Sequence, residues 1–141
     1  MNKPILSIIV PVDNTKIYLK ECLESLIHQT LTNIEILCID NGSTDGSLSI
    51  LKHYAQLYPN FKLFKQKNLS LGAARNLGLK HIRSDYVMFC DSDDVYDIHA
   101  CEEMYHAMID NTVDFVMCDI NVIAQKNNKN MLDENKCTNT S

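Results

Sequence analysis

Five short apolar runs divide the chain, at residues 6–10, 34–39, 61–65, 86–90 and 115–118, and three of them close directly on an aspartate: Asp40, Asp91 and Asp119. The runs are rich in β-branched and aromatic types and too short for helices, so each reads as a strand. Between them the spacing of apolar residues changes from continuous to helical. Ile17, Leu19, Leu23, Leu26 and Ile27 recur along 16–28 with Lys20, Glu21 and Glu24 opposite, which predicts an amphipathic helix. Similar patterns predict helices over 48–57, 71–82 and 98–109. Pro11, which has no N–H to give a ladder, marks the exit of the first strand, and Pro59-Asn60 ends the second helix. Asn41-Gly42 is a hairpin signal in isolation, but a strand and a helix flank it here, so it predicts a βα turn. Strands alternating with helices predict an α/β fold with a mainly parallel sheet of right-handed βαβ units. Ligands of such sheets bind outside the strands' carboxyl ends, where the Pro11–Asn14 stretch, Asp40, Asp91 and Asp93 all fall.

The densest chemistry follows the fourth run, where Tyr86-Val-Met-Phe-Cys90, without a polar break, reads as a buried strand that empties into Asp91-Ser-Asp-Asp94. Three carboxylates in four positions raise one another's pKa unless a cation or several N–H donors neutralise them. Hard oxygen ligands of this kind suit Mg²⁺ or Mn²⁺, and Mg²⁺ is commonly shared between one or two carboxylates and substrate phosphates. A helix cap needs one such carboxylate rather than three. An EF-hand register fits Asp91, Asp93, Asp97 and Glu102 but puts Tyr96 where glycine is required and Val95 where an oxygen ligand belongs. His99, Glu102, Glu103 and His106 share a vocabulary with zinc sites, yet their order is not His-Glu-x-x-His, and they read as a solvated helix face.

At 141 residues the chain has room for one domain. We place its body at 1–123 and read 124–141, rich in Lys, Asn, Thr and Asp, as a polar tail or linker. A formal charge of −5 argues against a nucleic-acid partner, which calls for a basic stripe. Six cysteines without a C-x-x-C pair, three of them inside apolar runs, read as reduced thiols of a cytoplasmic protein. Neither a signal peptide nor an apolar run of membrane-spanning length is evident.

A metal at an acidic rim points to a phosphate-bearing ligand, but neither G-x-G-x-x-G after the first strand nor G-x-x-x-x-G-K-[ST] occurs, which excludes the usual dinucleotide and P-loop readings. Arg75, near the start of the third helix, is a candidate second neutraliser.

Six motifs in order, Ser7-Ile-Ile-Val-Pro-Val-Asp-Asn14, Tyr18-Leu-Lys-Glu-Cys-Leu-Glu-Ser-Leu26, Gln29-Thr30, Ile39-Asp-Asn-Gly-Ser-Thr-Asp45, Leu71-Gly-Ala-Ala-Arg-Asn76 and Asp91-Ser-Asp-Asp94, resemble those of family 2 glycosyltransferases. The resemblance implies a GT-A fold, a Rossmann-like sheet flanked by helices, of which this chain carries the donor-binding half. It implies a nucleotide-diphospho-sugar donor, UDP-linked in the usual case, with Mn²⁺ or Mg²⁺ as cofactor. By the same resemblance Asp40 contacts the base, Pro11, Val12 and Asn14 wall the nucleoside, and Arg75 lies near the diphosphate. Asp91 and Ser92 belong to the donor side of the D-x-D motif, and Asp93 holds the metal. The acceptor, a saccharide, lipid-linked or protein hydroxyl, is bound in the family by a later part of the chain that also carries the general base, so no catalytic base is assigned. The implied setting is polysaccharide or glycoconjugate synthesis in the cytoplasm, at the inner face of the membrane where the full-length enzyme associates peripherally. The alternative is a catalytically inactive remnant or truncated module that binds nucleotide and transfers nothing. Three departures from the family pattern stand out: Asp13 for a common tyrosine, Leu69-Ser70 for two glycines, and Asn41 for a frequent second aspartate.

Overall fold

A computed structural model describes residues 2–118 and, beyond them, the backbone of three short strands, Gln125–Lys126, Lys129–Asn130 and Cys137–Thr140. Asp119, the 123/124 boundary and most of the expected tail lie outside the described residues. The chain divides into two units, 1–27 with 32–95, and 28–31 with 96–141.

The first unit carries the parallel sheet. Strands β1 (Leu6–Val12), β2 (Ile34–Asp40), β3 (Phe61–Lys65) and β4 (Tyr86–Phe89) lie in the order β3-β2-β1-β4, every pairing parallel. Helices α1 (Lys16–Ile27), α2 (Ser47–Leu57) and α3 (Leu71–Leu79) provide the crossovers. The order reverses between β1 and its two neighbours, which is the topological switch point that gathers ligand loops in open parallel sheets. All residues of β1 and β2 are buried, as expected for central strands covered on both faces.

In the first unit two boundaries and one burial pattern differ from the sequence expectation. β1 runs through Pro11 to Val12 rather than stopping before the proline. The Ile9 carbonyl accepts the Cys90 N–H and the Val12 carbonyl accepts the Asn41 N–H, so Pro11, two residues after Ile9, faces the β4 side. Pairing there has ended at Ile9↔Phe89, and the missing N–H costs no ladder bond. Helix α3 stops at Leu79, with Ile82 still packed on the core from the following turn. β4, expected as a fully buried strand, alternates between half-buried and exposed residues, with Val87 and Phe89 exposed.

One core cluster joins Ile9, Leu37, Ile39 and Ala74, with Phe64, Leu77 and Ile82 against it. Gly78 is where α3 meets the sheet: a Cβ there would stand 2.8 Å from Ile9 Cγ2, so the helix packs closely only because the side chain is absent. At the amino ends of the strands, buried Glu35 accepts hydrogen bonds from the Ser7 hydroxyl (3.0 Å) and the Arg83 N–H (3.1 Å), with Lys62 Nζ 3.6 Å away. A buried carboxylate is tolerable when its lone pairs are filled in this way. Cys22 and Cys90 are free, buried thiols 3.7 Å apart, and the hydrogen bond between them together with burial pushes Cys90 well above the ordinary thiol range. Both belong to the packing, as expected for reduced cysteines.

The second unit holds helix α4 (Ala100–Asn111) and strand β5 (Phe115–Cys118). α4 begins two residues later than expected, after the Asp97 carboxylate takes the His99 N–H. The Gln29 side chain ties the unit together, donating to the Asp97 carbonyl at 2.7 Å and accepting the Cys101 N–H at 2.9 Å. Among the described residues β5 is not part of the parallel sheet but pairs antiparallel with β8 (Cys137–Thr140), while β6 (Gln125–Lys126) pairs with β7 (Lys129–Asn130). The polar composition past 123 carries no periodicity from which such strands could be read. No helix among the described residues is long and apolar enough to cross a membrane.

Candidate functional site

The carboxyl ends of β1, β2 and β4 converge their polar residues by backbone geometry alone. β2 ends on Asp40, which the sheet buries to 2% exposure. Its Oδ2 accepts the Ser43 N–H at 3.2 Å, an Asx-type turn that starts the 41–46 loop. Its Oδ1 is buried with no hydrogen-bond partner, the one such side-chain atom among the described residues. An unmet buried acceptor costs about 1–3 kcal/mol, and native structures keep such atoms where a ligand or water will satisfy them.

The loop after β1 is held against the loop after β2. Asn14 adopts φ +54°, a left-handed conformation that asparagine tolerates, and its Oδ1 accepts the Thr44 N–H at 2.8 Å while its own N–H donates to Ser43 Oγ at 3.0 Å. Asp45 accepts from Ser47 N–H and Oγ on one oxygen and from Lys16 N–H on the other, serving the first turns of both α1 and α2. Those hydrogen bonds, the Ser47 hydroxyl first, hold its carboxyl below the ordinary range.

After β4, the Asp94 N–H returns to the Asp91 carbonyl at 3.0 Å, and this turn brings carboxylate oxygens of Asp91, Asp93 and Asp94 within 4.8 Å of one another. All three are exposed, and they form the single such grouping of metal-ligand types among the described residues. Partial burial first, then Asp93 and Asp91, raises the Asp94 pKa, which is the mutual repulsion the sequence predicts for this cluster. Ser70 caps α3 by accepting the Ala73 N–H at 3.0 Å, and buried Ala74 anchors the helix on the core. Arg75 then reaches over the rim, its Nη2 3.2 Å from Asp91 Oδ1. Oxygen ligands at this separation fit a small hard cation, and the guanidinium beside them fits a phosphate.

The eight sequence candidates are therefore distributed unevenly. Asp91, Asp93 and Arg75 form the open edge of the rim, and Asp40 lies buried at its β2 side with an open valence. Asn14 is exposed but acts on the 43–44 backbone. Pro11 and Val12 are buried strand residues, and Ser92 is buried with its hydroxyl accepting from Thr15 at 2.8 Å, so these three shape the rim from beneath. The sequence reading missed the side-chain amides of Asn41 and Gln66, which bind each other at 2.9 Å across 25 residues; local pattern has no access to such a pair.

The parallel α/β sheet flanked by helices, with acids and an arginine gathered at its switch point, is the Rossmann-like architecture of the GT-A fold. Residues 7–140 match the model of glycosyl transferase family 2, and the chain belongs to that family. EpsH of Bacillus subtilis (strain 168), which carries a glycosyltransferase name, is 42% identical over 118 residues, covering 84% of this chain and 34% of EpsH. The minor teichoic acid biosynthesis protein GgaA of the same organism is 39% identical over 111 residues, 74% of this chain and 25% of GgaA. Among solved structures, Staphylococcus aureus TarS 1–349 in complex with UDP-GlcNAc superposes with a TM-score of 0.69 at 29% identity over 81% of this chain and 33% of that one. The chain thus spans between a quarter and about a third of the length of these three relatives.

Proposed function

We propose that this chain is the donor-binding portion of a glycosyltransferase that takes a sugar from a UDP-linked donor, with Mn²⁺ or Mg²⁺, and delivers it to an acceptor hydroxyl in polysaccharide or glycoconjugate synthesis. The observation that carries the reading is the buried Asp40 Oδ1, an acceptor without a partner at the carboxyl end of a central strand. The imide N–H of uracil is a donor of matching chemistry. TarS, a structural neighbour, is described in complex with UDP-GlcNAc, and GgaA is named for teichoic acid biosynthesis, which supports a UDP donor and a polymeric product.

In this reading Asp40 accepts from the base, and Pro11, Val12 and Asn14 wall the nucleoside. Arg75 leaves Asp91 for the diphosphate when the donor arrives, and Asp93, with Asp91 and Asp94 beside it, holds the metal. A divalent cation at these carboxylates supplies Lewis-acid stabilisation of the charge that grows on the leaving nucleoside diphosphate. This chain's own residues bind and orient the donor and keep the base end out of water. The proton of the acceptor hydroxyl must go to a base, which no described residue is assigned. The free thiols of Cys22, Cys38, Cys90 and Cys101, together with a nucleotide donor, support a cytoplasmic setting for the reaction.

Titration of UDP by calorimetry, with and without Mn²⁺, tests the reading on wild type and Asp93→Ala. Metal-dependent binding that disappears in the variant is expected. A folded wild-type chain that takes up no UDP in the presence of Mn²⁺ overturns it.

A further inference from the structure

Two of the chain's departures from the family pattern touch each other. Asn41 Nδ2 donates to Asp13 Oδ2 at 3.0 Å. The rest of the Asn41 amide is fully used as well: Nδ2 also donates to the Leu69 carbonyl at 2.5 Å, while Oδ1 accepts the Leu69 N–H at 2.8 Å and Gln66 Nε2 at 2.9 Å. The orientation follows from the partners. The Asp13 carboxylate and the Leu69 carbonyl accept, so the face turned to them must donate, and an amide is the one short side chain that donates there and accepts from Leu69 N–H and Gln66.

Asn41 is 2% exposed, whereas Asp13 is exposed. The amide thus joins three loops at the rim, those after β1, β2 and β3. Gly42, at φ +75°, lets the 66–70 loop come close, since a Cβ there would stand 2.6 Å from Asn68 Oδ1. Leu69 immediately precedes the Ser70 cap of α3, so where Asn41 holds Leu69 is where α3 begins and, five residues on from the cap, where Arg75 reaches the rim.

We infer that Asp13 and Asn41 form a mutually dependent positioning pair that sets the 66–70 loop, and through it Arg75, against Asp40 at the donor rim. Neither is assigned to the chemistry. The inference rests on the donor-site reading for its effect on nucleotide, but not for its effect on the loop. An aspartate at 41 beside Asp13 would set two carboxylates against each other and a carboxylate against the Leu69 carbonyl. Replacing Asp13 by asparagine at the same time supplies a donor to the new carboxylate and relieves the first conflict.

The test compares wild type, Asn41→Asp, Asp13→Asn/Asn41→Asp and Asp13→Ala by amide hydrogen exchange of the apo chain and by UDP titration with Mn²⁺. Loss of the charge-assisted hydrogen bond from Asn41 to Asp13 predicts about 10-fold faster exchange over 66–70 and about 10-fold weaker UDP binding in Asn41→Asp. The double variant should recover a substantial part of both, a rescue that general destabilisation does not produce. Asp13→Ala, at an exposed position, keeps the test available should Asn41→Asp not fold, and should speed exchange at 66–70 by a smaller factor. Unchanged exchange in both Asn41→Asp and Asp13→Ala, or a double variant no better than Asn41→Asp, overturns the pairing. A wild-type chain that binds no UDP overturns the donor-site reading and leaves the exchange result to decide the pair.

Discussion

Arg75 Nη2 stands 3.2 Å from Asp91 Oδ1, with both side chains substantially open to water at 36% and 57% exposure. An exposed ion pair of this sort is worth about 0–1 kcal/mol, so a diphosphate can take the guanidinium from the carboxylate at little cost. Arg75→Gln should therefore leave thermal stability nearly unchanged and weaken UDP binding about 10-fold or more, because a charge-assisted contact to phosphate is lost. In the same variant Mn²⁺ alone should bind somewhat tighter, since the resident cation beside Asp91 is gone. Calorimetry with each ligand separately reads both effects.

Asp40 gives stability and binding opposite signs. Its Oδ1 is an unmet buried acceptor, and removing the charge in Asp40→Asn relieves part of that cost while leaving an oxygen for the Ser43 N–H. We expect a melting temperature equal to or above wild type and UDP affinity reduced about 10-fold or more, because the group that would face a base N–H becomes a donor. A variant that melts lower and binds equally well would contradict the assignment.

Asp45 carries a pH signature. Its carboxyl is held below the ordinary value, chiefly by the Ser47 hydroxyl, so its contribution to stability is complete above the unfolded-state carboxylate pKa and fades as pH falls through the depressed folded value. Asp45→Ala should cost about 1 kcal/mol near neutrality, in line with other lost helix-start acceptors. Denaturant midpoints of wild type and variant should converge in acid, below the depressed pKa, and stay apart above pH 4 or so.

Gly78→Ala probes the seat of α3. The added Cβ would meet Ile9 Cγ2 at 2.8 Å and two further Ile9 carbons at 3.0 Å, and Ile9 is a fully buried β-branched side chain with nowhere to move. Overpacking of this kind should cost about 1–3 kcal/mol despite the helix propensity gained. Since α3 carries Arg75, UDP binding should weaken as well.

How much of this was legible beforehand differs by element. Strand and helix order followed from periodicity because burial on both faces of β1 and β2 leaves continuous apolar runs, and crossover helices must show one apolar face. The acid cluster was legible because Asp91, Asp93 and Asp94 are neighbours in the chain, and a tight turn after β4 brings their carboxylates together. β4 was misjudged as buried because an apolar run does not say whether a strand is central or partly exposed. The pairing of β5 with β8 was hidden by a polar partner strand.

The sequence by itself determined the order of the local elements, the charge of the rim and the family, since each depends on residue type and short spacing. Only the tertiary structure decided that Asp40 keeps an open valence, that Arg75 faces Asp91, and that Asp13, Asn41 and Leu69 share one amide. Those relationships join residues 16 to 56 positions apart or rest on burial by strands on either side, and hydrogen bonds act through distance in space, which no pattern along the chain records.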